Sequence, residues 1–367
     1  LTEDVSAIQR IVKNGLAKNI FYIGDQFLIP WKDVAANKDY TVPLDVVHFT
    51  DVDLKNGDKV PGMYLQWHFC TPFGVQYDAA EAFYYAETEL EAGTYNIIVG
   101  TNWGDNCKKG EQYQFTLSKP VPAGGQIVGF YAMPDKKPTD WSVSTYENAK
   151  STTPIETVKP VEGSEGTNLG TLSASGDGKL NSLYRVAYGY NRWSQSAIRQ
   201  FLNSNKPAGQ WWEPQNKWDR PPAELATKAG FLTGYSEEFL NAIKPVRVRT
   251  ALNTVTDASE GTYEDTYDRV FLPSLEQEFI TPQLAGIEGE AWDYWKRASE
   301  SEQPLKQYGT FPQMRTLENK TSAQPVRLRS AHRGFANNTW YVYASGIVYI
   351  SNAVNSSRFA PACVLIG

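Results

Sequence analysis

The residues of this chain that could hold a metal ion are few and widely spaced. Its three histidines, His48, His68 and His332, lie far apart, and no pair has the spacing of metal ligands. Asp51 and Asp53 alternate in "TDVDLKNGD" and could bind calcium through carboxylate oxygens. The same pattern is more typical of a solvated strand that runs into an Asn-Gly hairpin turn. We therefore expect no metal site and no cofactor.

Residues with a spacing suited to catalysis are also scarce. Glu276 and Glu278 in "SLEQEF" could act as paired catalytic carboxylates, as in glycoside hydrolysis. A structural role fits the pair better, with one carboxylate forming an ion pair with Arg327 or Arg329. The sequence contains no G-x-S-x-G motif, glycine-rich phosphate loop or Cys/His dyad. These observations favour a protein that is not an enzyme.

The cysteine content, the net charge and the apolar pattern argue against three further classes of protein: disulfide-rich, nucleic-acid-binding and membrane-inserted. Cys70, Cys107 and Cys363 are odd in number and far apart, which predicts small buried side chains and no disulfide framework. The net charge is −6, and Lys and Arg form no cluster, so a nucleic-acid partner is not expected. No apolar run approaches the roughly 18 residues that span a bilayer, which predicts no membrane insertion. Because the numbering starts at Leu1 and not at Met, a targeting segment that has been removed stays an open alternative.

The C-terminal part of the chain contains an uncharged ribbon. Residues 334–357 include no Asp, Glu, Lys or Arg, whereas the chain's average of 21% charged residues would place about five there. Apolar residues alternate on both sides of Gly346, as in a hairpin with one buried face. We predict that Trp340, Val342 and Val348 point inward. The side chains predicted to point outward are Tyr341, Tyr343, Ile347 and Tyr349.

The surrounding elements predict a multidomain chain. Apolar residues at helical spacing predict a short leading helix over 5–16, followed by β-branched and aromatic runs that predict an all-β sandwich or barrel within residues 1–135. Residues 136–180 are rich in Pro, Ser, Thr and Gly and predict a linker or extended strap. In residues 181–367, Ser194 and Ser236 are predicted helix N-caps among Trp-rich loops and short strands, which predicts an α+β domain.

Several of these segments resemble a known group of proteins. They are "YRVAYGYNRWSQSAIRQFLNS", "DRVFLPSLEQEF", "EGEAWDYW", "VRLRSA" and "SSRFAPACVLI". They resemble the C-type-lectin-like domain of phage virion proteins from gut bacteria, a branch of the formylglycine-generating-enzyme-like fold. The leading "IGDQFLIPWKDV" and "MYLQWHFCTPFGVQYDAAEAFYYA" resemble the first domain of such proteins. The enzymes of this fold use a cysteine pair, whereas residues 181–367 contain only Cys363, so the resemblance implies the fold without catalysis.

The ribbon resembles the variable region of proteins diversified by diversity-generating retroelements. Adenine randomisation of an Asn codon in those systems never produces Lys, Glu, Gln, Met or Trp. Between residues 331 and 359 only Trp340 belongs to that set, where the chain's average predicts roughly six. A plain surface hairpin beside a Trp-rich core would have a similar composition, and this alternative stays open.

The resemblance implies a virion protein on the phage particle surface that displays a binding face for a host-surface receptor, either protein or glycan. It further implies contacts with other virion proteins and a homo-oligomer, with Arg329 and Trp340 as structural residues. The alternative is a structural virion component, such as a capsid decoration or tail subunit, in which the ribbon is an assembly contact. The residues expected on the variable face are His332, Gly334, Phe335, Ala336, Asn337, Tyr341, Tyr343, Ala344, Ser345, Ile347, Tyr349, Ile350, Ser351, Asn352, Val354, Asn355 and Ser357.

Overall fold

The computed structural model describes residues 4–102, 105–130, 137–172, 183–299, 313, 315–318 and 322–367. The chain is mostly β-sheet, with a short N-terminal helix and several separate sheets, which confirms the predicted β-rich character. No helix in these ranges is long and apolar enough to cross a membrane.

The described helices are short. They are α1 (Val5–Lys13), α2 (Ala17–Ile20), α3 (Leu183–Tyr188), α4 (Ala197–Leu202), α5 (Glu237–Ala242) and α6 (Asp293–Ser299). The strands, in chain order, are β1 (Gln26–Asp33), β2 (Lys38–Asp53), β3 (Lys59–Trp67), β4 (Val75–Gln76), β5 (Tyr84–Tyr85), β6 (Gly93–Val99), β7 (Gln112–Leu117), β8 (Gln126–Phe130), β9 (Ser142–Tyr146), β10 (Glu156–Val158), β11 (Val161–Glu162), β12 (Thr167–Leu172), β13 (Val246–Ala251), β14 (Tyr263–Asp268), β15 (Val270–Phe271), β16 (Arg315–Thr316), β17 (Ala323–Gln324), β18 (Val326–Ala331), β19 (Asn338–Val342), β20 (Val348–Asn352), β21 (Ser356–Ser357) and β22 (Ala362–Ile366).

The largest sheet joins the two ends of the sequence. Its five antiparallel strands lie in the order β1-β2-β3-β22-β15, so β22 pairs with β3 across almost the whole chain. All five residues of β22 are buried, which makes this apolar strand a central member of the sheet. One hydrophobic core, with buried residues from Ile8 to Ile366, packs around the sheet.

This core corrects the predicted division into residues 1–135 and 181–367. Both segments contribute strands to one sheet and side chains to one core, so they do not form separate bodies. Hydrophobic alternation identifies a strand with a buried face but does not identify the strand that pairs with it. The partner of β3 lies about three hundred residues away in the sequence, and no local signal encodes that pairing.

A second core lies between residues 83 and 188. Two four-stranded sheets, β10-β9-β8-β5 and β11-β7-β6-β12, contribute the buried side chains of this core. Strands β9 to β12 fall within residues 136–180, so the predicted linker is in its described part a set of sheet strands. Three of these strands, β10, β11 and β12, lie at sheet edges, where a short strand buries few side chains and can have a polar composition. The single N-terminal sandwich or barrel is therefore replaced by strands divided between two cores.

Local helix signals were partly right. The leading helix is present as α1, where the side chain of Asp4 caps the amide of Ala7. Ser236 caps α5 as predicted, whereas α4 is capped by Ser196, and Ser194 lies in a preceding 3₁₀ turn. Ser194 instead hydrogen-bonds Glu264. Both serines in "WSQS" fit the N-cap pattern. Because Ser194 binds Glu264, Ser196 is the serine that caps α4.

Helix α1 packs against the chain's own elements. Its Ile8 and Val12 are buried in the main core, and the helix contacts β3, β22 and α5. The centre of the apolar stripe is therefore covered within one chain, whereas Leu16, beyond the end of the helix, is 45% exposed. The predicted homo-oligomer stays a prediction.

Candidate functional site

The uncharged ribbon forms the predicted hairpin. Strands β19 and β20 pair in register, with Trp340 opposite Ile350 and Tyr341 opposite Tyr349, and β18 lies on the other side of β19. The amide of Tyr343 donates to the carbonyl of Ile347 at 2.8 Å and closes the turn. Gly346 has a φ of 87°, a left-handed conformation that favours glycine.

Three large side chains project from this hairpin into solvent. Tyr343 is 47% exposed, Ile347 is 58% exposed and Tyr349 is 61% exposed, as the alternation predicted. Phe335, in the loop before β19, is also exposed. The three hairpin side chains form an aromatic and aliphatic patch without charge, which we call the hairpin patch. Clustered exposed apolar groups of this kind are typical of binding surfaces.

The inward and outward assignment of β19 was partly wrong. Tyr341 is only 8% exposed, whereas Trp340 is half-buried and packs beside His332. Val342 is buried as predicted, and Val348 is half-buried against Leu275 and its neighbours. The prediction assumed one covered face, but both faces of β19 are covered: one lies on this apolar cluster, and the other lies over a buried arginine.

The other predicted face residues divide by exposure. Ala336, Asn337 and Tyr341 are buried, so they do not contribute to a surface, and this corrects their assignment. Those that are half-buried are His332, Ala344, Ile350, Ser351, Asn352, Val354 and Ser357. Those that are exposed are Gly334, Phe335, Tyr343, Ser345, Ile347, Tyr349 and Asn355. Tyr343, Ser345, Ile347 and Tyr349 lie at or near the turn of the hairpin, whereas Gly334, Phe335 and Asn355 lie in loops at its opposite end.

Arg327 fixes the backbone beneath this surface. Its guanidinium is completely buried and donates to Thr339 Oγ1, to the carbonyl of Asn352 at 3.1 Å and to the carbonyl of Asn355 at 2.8 Å. Burial lowers the pKa of Arg327 to about 10, and the guanidinium forms no ion pair with a carboxylate in the described ranges. One side chain therefore ties β19 to the end of β20 and to the turn after it.

Arg329 is also completely buried and holds a different part of the fold. It donates to the carbonyls of Leu272 and Glu288, both at 2.8 Å, and to Gln277 Oε1 at 2.6 Å. Its structural role was predicted correctly, but its predicted partner was wrong. Glu278 accepts from Gln66, and Glu276 accepts from the backbone amides of residues 286–288. The prediction assumed carboxylate partners, but the acceptors of both guanidiniums here are main-chain carbonyls and neutral side chains.

A cavity that no sequence pattern indicated lies between the N-terminal strands and residues 286–290. It has a volume of about 470 Å³, and β2, β3, β13 and β18 contribute to its lining. Asp51 and Asp53, the considered calcium ligands, both line it, but Asp53 forms an ion pair with Arg247. No group of three His, Cys, Asp or Glu side chains suited to a metal ion occurs in the described residues.

Several titratable groups in the cavity wall lie against partners. His48 Nε2 lies 3.0 Å from Glu290 Oε1, and this contact lowers the pKa of Glu290. Burial raises the pKa of Tyr64, whose hydroxyl makes no hydrogen bond to another described residue, to about 12. This cavity, here called the strand pocket, brings together residues from widely separated segments. No local motif could have predicted it.

Thiol chemistry is disfavoured by the position of the cysteines. All three are unpaired and buried, as predicted, and burial raises the pKa of Cys363 to about 12. A buried thiol of this kind stays protonated and is a poor nucleophile.

Comparison with known proteins gives a family but no activity. No curated protein and no solved structure matches the chain. The model of DUF6273, a domain of unknown function, matches residues 174–366, more than half of the 367 residues. The matched segment includes α4, the hairpin and β22. The chain therefore belongs to the DUF6273 family.

Proposed function

We propose that this protein is a non-enzymatic phage virion protein whose hairpin patch binds a host-surface receptor, either protein or glycan. The observation that carries the proposal is the hairpin patch itself: Tyr343, Ile347 and Tyr349 are exposed on a backbone that the buried Arg327 holds in place. A rigid surface with tyrosines binds with little loss of conformational entropy, and Tyr offers a large amphipathic contact.

The composition of the ribbon adds support. Between residues 331 and 359, only Trp340 lies outside the alphabet of adenine-randomised Asn codons, and Trp340 is half-buried beside His332. The exposed positions all belong to the permitted alphabet. A C-type-lectin-like C-terminal domain is part of the same proposal and rests on the quoted segments.

Binding to bacterial cells tests the proposal. The labelled protein is incubated with a panel of gut bacteria, and bound protein is counted by flow cytometry. The double variant Tyr343→Ser and Tyr349→Ser should lose at least about tenfold in binding, since central tyrosines are typical anchors. The matched control is Tyr22→Ser, because Tyr22 is 76% exposed and lies outside the ribbon.

Two outcomes contradict the proposal. A double variant that binds cells as well as the parent protein places the receptor site elsewhere. A parent protein that binds no cell in the panel, but is incorporated into particles only when both tyrosines are present, identifies the hairpin patch as an assembly contact. The second result would establish the structural virion component as the better description.

A further inference from the structure

The strand pocket is a built cavity that is separate from the hairpin patch. Its volume of about 470 Å³ falls in the range of about 300–1,000 Å³ that is usual for small-molecule sites. Its floor is buried and includes Phe271, Glu288 and Arg329, while Asp51 and Arg247 are exposed at the rim. None of the described residues of the ribbon lines it, so an occupant would bind independently of the proposed receptor surface.

The charges of the strand pocket indicate a ligand without net charge. Arg247 is paired with Asp53, and Arg249 donates to both carboxylate oxygens of Asp265 at 2.7 and 2.8 Å. His48 faces Glu290 in the same way. A charged ligand that used Arg247 or Arg249 would have to compete with a carboxylate that is already in place, because each of these guanidiniums forms an ion pair.

The strand pocket also contains polar groups that are ready for a hydrogen bond. The Tyr64 hydroxyl can donate and accept, and no described residue uses it. The guanidinium of Arg329 uses both terminal nitrogens, but its buried Nε–H finds no acceptor among the described residues. Buried polar groups without partners are costly unless a ligand or water satisfies them.

Aromatic rings complete the wall beside these groups. The ring of Tyr64 lies 5.6 Å from that of Trp292 and 6.4 Å from that of Phe271, measured between centroids. A wall that combines aromatic rings with paired charges suits a ligand that has C–H faces between hydroxyl groups. We propose that the strand pocket binds a neutral saccharide, of one or two sugar units, with the Tyr64 hydroxyl as a direct contact.

The test uses the full chain and a defined panel of sugars. Glucose, galactose, mannose, N-acetylglucosamine and lactose are titrated by ligand-observed NMR and calorimetry, with glucuronate and inorganic phosphate as charged comparators. At least one neutral sugar should bind more tightly than both charged compounds. Tyr64→Phe keeps the ring but removes the hydroxyl, and it should weaken binding of that sugar about three- to tenfold, the usual value of one hydrogen bond. Tyr84→Phe is the matched control in the second core.

A second variant protects the test against misfolding of the first. Asp51 is an exposed strand residue at the rim, so Asp51→Trp should block the strand pocket without disturbing the core, and binding should be lost. Asp39→Trp, an exposed position on the same strand, should bind normally. The proposal is overturned if no neutral sugar binds, if glucuronate or phosphate binds more tightly, or if Tyr64→Phe and Asp51→Trp both bind as the parent does.

Discussion

A single buried cation organises the hairpin at the residue scale. Arg327 binds three separate segments, through Thr339 Oγ1 and the carbonyls of Asn352 and Asn355, and no acidic partner for it occurs in the described residues. The bonds to these two carbonyls do not depend on side-chain identity, whereas the contacts with Thr339, Ser351 and Ser357 are made by side-chain hydroxyls. Together these bonds hold the backbone beneath the exposed side chains of the hairpin.

We predict that Arg327→Gln destabilises the protein by about 3 kcal/mol or more, because several buried acceptors lose their donor at about 1–3 kcal/mol each. Denaturant unfolding, followed by fluorescence, measures this change. Arg333→Gln is the control, since Arg333 is half-buried and bonds mainly the carbonyl of Leu252. A loss below about 1 kcal/mol for Arg327→Gln would show that the guanidinium is not needed to hold the hairpin.

The paired tyrosines Tyr341 and Tyr349 should differ sharply although they face each other in the register. Tyr341 is buried, so Tyr341→Ser should cost about 2–4 kcal/mol through lost transfer energy and a cavity. Tyr349 is exposed, so Tyr349→Ser should stay within about 0.5 kcal/mol. Thermal melts of the two variants compare them directly. Equal losses would contradict the assignment of burial on this hairpin.

Among the secondary-structure elements, the last strand, β22, joins the C-terminal part of the chain to the N-terminal strands of the largest sheet. β22 lies between β3 and β15, and its partner β15 has only two residues, so most of its hydrogen bonds go to β3. The family segment, which ends at residue 366, therefore shares its sheet with strands that precede the matched region.

We predict that a fragment of residues 181–367 does not fold alone, although its composition is that of a globular domain. Without β1 to β3, the apolar strand β22 loses its main partner and the core loses one wall. Near-UV circular dichroism and amide NMR dispersion should both be lost relative to the full chain. A fragment that melts cooperatively near the temperature of the full chain would show that this sheet pairing is dispensable.

At the scale of the whole molecule, buried carboxyl groups lie where the chain passes between its two cores. Glu81 and Arg185 form a completely buried ion pair on the segments that enter and leave the second core, and Asp78 and Asp219 lie nearby. Burial raises the pKa of Glu81 to about 7 and that of Asp219 to about 6. We therefore expect the free energy of unfolding to depend on pH through these groups between the two cores.

The sign of that response follows from proton uptake. An unfolded carboxyl group has a pKa near 4, so between about pH 4 and pH 7 the folded state binds more protons than the unfolded state. Stability should therefore fall as the pH rises from about 4 to 7, by roughly 1–3 kcal/mol. Unfolding free energies across this window measure the slope. Glu81→Gln should flatten it, and an unchanged slope in that variant would assign the effect to other groups.

Features that depend on neighbouring residues could be predicted from the amino-acid sequence. The leading helix α1, the Ser236 cap, the hairpin turn at Gly346 and the exposure of Tyr343, Ile347 and Tyr349 all follow from spacing and turn chemistry within a few residues. The burial of the three cysteines could also be predicted from the sequence, because an isolated free cysteine behaves as a small hydrophobic side chain.

Only the tertiary structure decided which distant segments meet. Strand alternation could not reveal that β22 pairs with β3, that residues 136–180 contribute strands to a second core, or that both faces of β19 are covered. The strand pocket and the carbonyl-bound Arg327 are likewise made by contacts between segments far apart in the chain. A local pattern records how much of a residue is buried, whereas the identity of its partner depends on the packing of the whole chain.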